Sequence, residues 1–192
     1  MQQHKGPGAN FYDYFEFGQP GDTRFYVEEA ANAGSPVLEL GCGTGRSLIP
    51  VAQAGINIVG LDHSPDMLFI AEKHMAGLSA ETRGRIELVH GDMRSFMLEK
   101  RFNLVTVPNR SFLHLLTTED QRHALSRIRC HLSEGGRLVF NVFDPNLEWI
   151  VEDYGFPESP LRNTLSIDSS VTHLSQKPPE SSRDHQRILC QT

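Results

Sequence analysis

The run Val37-Leu38-Glu39-Leu40-Gly41-Cys42-Gly43-Thr44-Gly45-Arg46 sets a short apolar segment against a loop with glycine at every second position, and a helix-like pattern follows. Glycine lacks a Cβ, so Gly41, Gly43 and Gly45 allow tight turning, positive φ and close approach of a ligand to bare peptide groups. Amides at such a turn converge where the next helix begins, a site suited to a carboxylate or phosphate. About twenty positions further on, Asp62 ends a second apolar run, Ile56–Leu61. That spacing suits an acidic side chain accepting hydrogen bonds from ribose hydroxyls. The combination predicts an α/β sheet that binds an adenosine-containing ligand.

The glycine pattern narrows the ligand. A dinucleotide fingerprint needs a third glycine for close helix–strand packing around a pyrophosphate, and Arg46 stands in that place. The pattern E-x-G-x-G-x-G, from Glu39 to Gly45, resembles motif I of class I S-adenosylmethionine-dependent methyltransferases. Further landmarks follow in order over residues 22–145. Ile86-Glu87-Leu88-Val89-His90 alternates like a strand and ends in Gly91-Asp92-Met93, which resembles the family's acidic motif for the adenine amino group. Phe102–Val107 is a buried-type strand ending in Pro108-Asn109-Arg110-Ser111, where the family's fourth strand meets the reactive methyl. Arg137–Phe143 after Gly135-Gly136 resembles the fifth strand.

The resemblance implies a Rossmann-like, doubly wound parallel sheet with S-adenosylmethionine as cofactor. It also implies roles for particular residues. The backbone of Gly41, Cys42 and Gly43 would hold the methionine part, with Glu39 buttressing the loop. Asp62 would take the ribose hydroxyls, although capping of the helix that starts at Ser64 is an equally local task for it. His63 and Met67 would flank adenine, unless they are a loop residue and a core residue. Asp92 and Met93 would read the adenine edge, or Asp92 would only close a turn. Pro108 and Asn109 would frame the methyl, or merely end a strand. Arg24 would pair with the ligand carboxylate, and Tyr12 or Tyr14 would cover it, if they are not ordinary surface and packing residues.

With 192 residues, 39% hydrophobic and 22% charged, the chain suits one domain with a well-buried core. No apolar run approaches the roughly 20 residues of a membrane span, and Met1–Gly8 lacks the apolar centre of a secretory signal. Cys42, Cys130 and Cys190 form no disulfide or metal pattern, so a reducing, cytoplasmic setting is expected. Net charge of −6 disfavours nucleic acid as partner. Pro108-Asn109-Arg110-Ser111 also departs from the D/N-P-P-Y/F motif of base-amino methylases. A small-molecule acceptor is expected; oligomeric state is not legible.

Three regions are expected: 1–21 as a cofactor-covering segment, 22–150 as the binding domain, and 151–192 as a divergent or truncated tail. Asp22 is read as capping a helix through Ala33, Arg46–Ala54 as a helix, and Ser64-Pro65-Asp66 as a strong helix start. Thr118-x-x-Gln121 reads as a capping box. Beyond Pro145 apolar residues thin out and Ser and Pro abound, as in weakly folding segments. The sheet is therefore expected to lack the family's usual last two strands, Thr164–Leu174 being a poor candidate for one.

Methyl transfer requires positioning and exclusion of water more than acid–base machinery, and no metal-ligand spacing or nucleophile motif is present. His114 is the one tempting base near the fourth strand, but its apolar neighbours also suit a core histidine. No catalytic base is assigned. A non-catalytic cofactor-binding remnant and an NAD-dependent oxidoreductase stay open as alternatives.

Overall fold

The computed structural model describes residues 12–15, 18–142 and 188–191. The chain order is α1 (Tyr12–Phe15), α2 (Asp22–Ala33), β1 (Val37–Leu40), α3 (Leu48–Gln53), β2 (Ile58–Asp62), α4 (Pro65–Ala76), α5 (Ala80–Arg83), β3 (Ile86–His90), β4 (Phe102–Val107), a 3-10 turn (Ser111–His114), α6 (Thr118–His131), β5 (Leu132–Phe140) and β6 (Ile188–Gln191). The strands lie in the order β3-β2-β1-β4-β5-β6. The first five are parallel and β6 runs antiparallel to β5. The chain thus winds one way from β1 to β3, then crosses back to β4, and the switch point falls between β1 and β4.

The apolar runs become strands because both faces of a parallel sheet are covered. Alternation along each strand then divides the core in two. Leu38 and Leu40 of β1 point to the face where Ala124 and Ile128 of α6 pack with Phe102, Val105 and Val107. Val37 points the other way, to Tyr26 and Ala30 of α2, Leu48 and Val51 of α3, and Leu104. Glu39 shares the parity of Val37 and is itself only 1% exposed.

Several local expectations need correction. Asp22 is the first helical residue of α2, not its cap; Gly21 takes the cap position in a left-handed conformation. The cap of α6 is Thr117, whose hydroxyl accepts from the Asp120 amide, one residue before the expected Thr118. Ser64 does cap α4 and accepts from the Met67 amide, as the Ser-Pro-Asp start implied. β5 begins at Leu132, before the glycine pair, with a register irregularity opposite Phe102 and Leu104. Gly136 makes this possible, since a Cβ there would lie 2.9 Å from the Phe102 carbonyl oxygen. The sheet also gains β6, a strand the sequence did not signal. Residues 1–11 and the side chain of Tyr12 lie outside the described residues, as do Thr164–Leu174 and the rest of the tail up to residue 187.

Gly60 links this fold to the site. A Cβ on it would meet Cys42 Sγ and Leu48 Cδ1, each at 2.9 Å, so the glycine loop lies directly on β2. Gly60→Val is expected to lower stability by about 1–3 kcal/mol through overpacking. An unchanged urea midpoint would contradict this contact.

Candidate functional site

The site is assembled at the carboxyl ends of β1, β2, β3 and β4, where a doubly wound sheet leaves a crevice. β1 stops at Gly41, whose φ of 72° is open to glycine at no steric cost. A Cβ there would sit 2.8 Å from Ser111 Cβ and Oγ, so the segment leaving β4 rests on bare backbone. The Gly41 and Cys42 amides donate to the Leu61 carbonyl at 2.8 and 3.2 Å. The Gly43 amide donates to Asp62 Oδ2 at 2.8 Å. The sequence suggested a nest of free amides. Because the loop folds back over the end of β2, these three amides are engaged within the protein. In front of Gly43, no described residue comes within 4 Å of a Cβ built there.

Asp62 thus spans two crossovers. Its other oxygen, Oδ1, accepts from the Ser64 amide at 2.8 Å. A carboxylate has about four acceptor positions, so positions remain for a ligand. Beside it, the Asp62 carbonyl accepts from the Gly91 amide at 2.9 Å, which brings the exit of β3 alongside. His63 lies between: its Nδ1 is 3.9 Å from Asp92 Oδ2, and its carbonyl is 3.0 Å from His90 Nε2. Gly43, Asp62, His63 and Asp92 are therefore brought together.

Asp92 is more committed than the sequence implied. Arg94 Nε and Nη2 fork onto it, the shortest contact being 2.6 Å, and Arg94 Nη1 continues to Asp120 at 3.0 Å. The hydrogen bonds from Arg94 hold the Asp92 carboxyl below the usual carboxylate range against a smaller opposing effect of burial. Met93 is buried against the same core face as Leu40, and Met67 is buried with Ile70 in a small cluster of its own. Pro108 and Asn109 follow β4, and the Pro108 carbonyl accepts from both the amide and the hydroxyl of Ser111.

Glu39 and Arg46 flank the loop. Arg46 grips both oxygens of Asp22 at 2.8 and 2.7 Å, which ties the loop to α2. Glu39 Oε1 accepts from Ser47 Oγ at 2.8 Å, while its buried Oε2 has no hydrogen-bond partner among the described residues. Burial pushes this carboxyl up to about 8, against the opposing pull of Ser47 and Arg46. Burial thus favours the protonated form of the carboxyl beneath the glycine loop near neutral pH.

Other expected residues fall elsewhere. Arg24 lies on the outer side of α2, 84% exposed and paired with Glu28 at 2.7 Å. Tyr14 is 70% exposed. His114 is exposed on the 3-10 turn, so the core-histidine alternative does not hold. Asp13, which sequence reasoning passed over, accepts from Thr44 Oγ1 at 2.6 Å, and His74 lies within 3.6 Å of it. The short α1 is thereby fastened to the glycine loop. Ser47, Arg94, Ser111 and Asn141 also carried no sequence signal. Among the described residues no helix is long and apolar enough to cross a membrane, and no cluster of His, Cys, Asp or Glu is placed to hold a metal. A surface hollow of about 470 Å³ lined by Arg101, Arg129 and Leu132 lies by the starts of β4 and β5, away from this cluster.

Comparison with known proteins bears on this geometry. A family model described as a methyltransferase domain matches residues 37–136. Over 112 residues the chain is 33% identical to a cypemycin N-terminal methyltransferase of Streptomyces sp, covering 58% of this chain and 43% of that protein. Over 156 residues it is 30% identical to a dTDP-3-amino-3,6-dideoxy-alpha-D-glucopyranose N,N-dimethyltransferase of Streptomyces fradiae, covering 81% and 52%. Among solved structures, the glycopeptide N-methyltransferase MtfA complexed with S-adenosyl-L-homocysteine matches with a TM-score of 0.57 and 34% identity. That match covers 62% of this chain and 47% of MtfA. The chain thus spans about half the length of these relatives.

Glu39 makes stability depend on pH. Its folded value of about 8 lies above its ordinary 4.5, so between these values the folded state holds the extra proton. Stability is then greatest below about pH 5 for this group and falls as pH rises towards 8, by on the order of a few kcal/mol. Glu39→Gln is expected to remove that slope from urea midpoints measured across the range. A wild-type slope retained in the variant would assign it to another group.

Proposed function

We propose, from the premise that this chain belongs to the class I S-adenosylmethionine-dependent methyltransferase family, that it transfers a methyl group from S-adenosylmethionine to a small-molecule acceptor. The observation that carries this reading is the convergence of the open Gly43 backbone, the Asp62 carboxylate and Asp92 at the ends of consecutive parallel strands. The residues fit the cofactor on their own chemistry. Asp62 retains acceptor capacity for a vicinal diol, and the bare face of Gly43 admits a close ligand. Glu39 Oε2 adds a buried polar atom that has no partner among the described residues.

In this reading Asp62 holds the ribose hydroxyls, while Asp92 and the Met93 backbone face the adenine edge, with His63 and Met67 beside the ring. The amides of Gly41, Cys42 and Gly43 are already engaged. The loop's contribution to the methionine part is then carbonyl oxygen, suited to an ammonium. Glu39 keeps the loop in place from below, and α1, fastened to it through Asp13, covers it from outside. The cofactor, when bound, supplies an electrophilic methyl on a sulfonium that leaves as a neutral thioether. Pro108 and Asn109 frame that methyl, and the protein's task is alignment and exclusion of water. No side chain is assigned as base.

Titration calorimetry tests the reading. The chain is expected to bind S-adenosylhomocysteine and to show no comparable affinity for NAD(H). Asp62→Ala is expected to weaken binding by about tenfold or more while the variant stays folded, since charge-assisted hydrogen bonds are lost. Incubation with methyl-labelled S-adenosylmethionine and a metabolite extract is expected to yield a labelled small molecule. Preference for the dinucleotide, or binding without any labelled product, would contradict the proposal.

A further inference from the structure

Among the described residues, Asn109 and Arg110 are the non-glycine positions with positive φ, at 51° and 60°, and they are adjacent. Asparagine tolerates this region, but arginine does not favour it, and such a pair persists only where the surroundings over-determine it. Here they do. The Arg110 amide donates to Asn141 Oδ1 at 2.9 Å. The same oxygen lies 3.4 Å from the hydroxyl of Tyr26, a residue of α2 that is 2% exposed. Asn141 directly follows β5, the parallel neighbour of β4. On the other side, Ser111 bonds the Pro108 carbonyl and packs against Gly41. One amide oxygen therefore joins the exits of β4 and β5 to α2 and sets the turn between Pro108 and the glycine loop. Ending a strand requires none of this.

We propose that Asn141 is a positioning residue for methyl transfer: through the Arg110 amide it holds the left-handed Asn109–Arg110 turn in the shape that frames the donor methyl. The proposal rests on the methyltransferase reading above. Its consequence is selective. The turn faces a methyl and a positive charge that S-adenosylmethionine has and S-adenosylhomocysteine lacks, whereas the ribose and adenine contacts are common to both. Loosening the turn should change the ratio of the two affinities, which a merely structural role would leave alone.

The test measures both dissociation constants by calorimetry on the full chain for wild type, Asn141→Ala and Asn141→Asp, with amide hydrogen exchange at Arg110. Asn141→Ala is expected to lose protection at Arg110. Its affinity for S-adenosylmethionine should fall about fivefold relative to that for S-adenosylhomocysteine, the effect of one hydrogen bond. Asn141→Asp, which keeps an acceptor in place, is expected to stay near wild type in both. An unchanged ratio despite lost protection at Arg110 would overturn the proposal. If the alanine variant does not fold, Asn141→Gln, which shifts the acceptor by one methylene, is read the same way. Failure of both to fold would make Asn141 structural and overturn it. Absence of binding by the wild-type chain would instead overturn the functional reading itself.

Discussion

The hydrogen bond from the Gly43 amide to the Asp62 carboxylate turns two separate crossovers into one cradle. Without it, the loop after β1 would be tied to the end of β2 only through the Gly41 and Cys42 amides on the Leu61 carbonyl, and the Asp62 side chain would be left unanchored to the loop. With it, the carboxylate is held by a second amide from Ser64, and the helix that follows is capped by the same short segment. The exit of β3 then joins through the Gly91 amide on the Asp62 carbonyl. Each link is a backbone group meeting a nearby acceptor, so the cradle has little freedom to change shape.

The surroundings hold this arrangement from both sides. Gly60 lets the loop sit on β2, and Arg46 fastens it to α2 through a forked pair with Asp22. Beneath lies Glu39, a carboxyl in the core with one bonded and one unbonded oxygen. A core position with that parity would be more stable if apolar, since an unsatisfied buried polar atom is costly. Local departures from the most stable choice are expected where a protein binds or reacts, and this one lies directly under the glycine loop. The strained turn after β4 is a second such departure, at the adjoining strand end.

Much of this was legible in the chain. Largely apolar runs marked β1, β2 and β4, and alternation marked β3, so these strands announced themselves, and the glycine and aspartate positions followed from where the strands stop. The cap at Ser64 was readable because proline and aspartate follow it. What stayed hidden depends on partners distant in sequence. Asp13 meets Thr44 and His74, Arg110 meets Asn141, and Arg94, bound to Asp92, reaches on to Asp120; no local pattern marks such pairs. The glycine loop misled in one respect, because its amides are used within the protein. β6 was missed since a short edge strand in a polar, Ser-rich context lacks the apolar alternation that identifies strands. Arg24 and His114 drew attention by residue type alone, and the helix face and turn that carry them point to solvent.

The central claim is that a single nucleoside lies across the ends of β1, β2 and β3. A nitrogen-15-resolved titration of the labelled chain with S-adenosylhomocysteine tests it most directly. The amides of Gly43, His63 and Met93 are expected to move together and saturate at one ligand concentration. If those amides stay still while the ligand binds, or respond at different concentrations, the three strand ends do not form one site and the account is wrong.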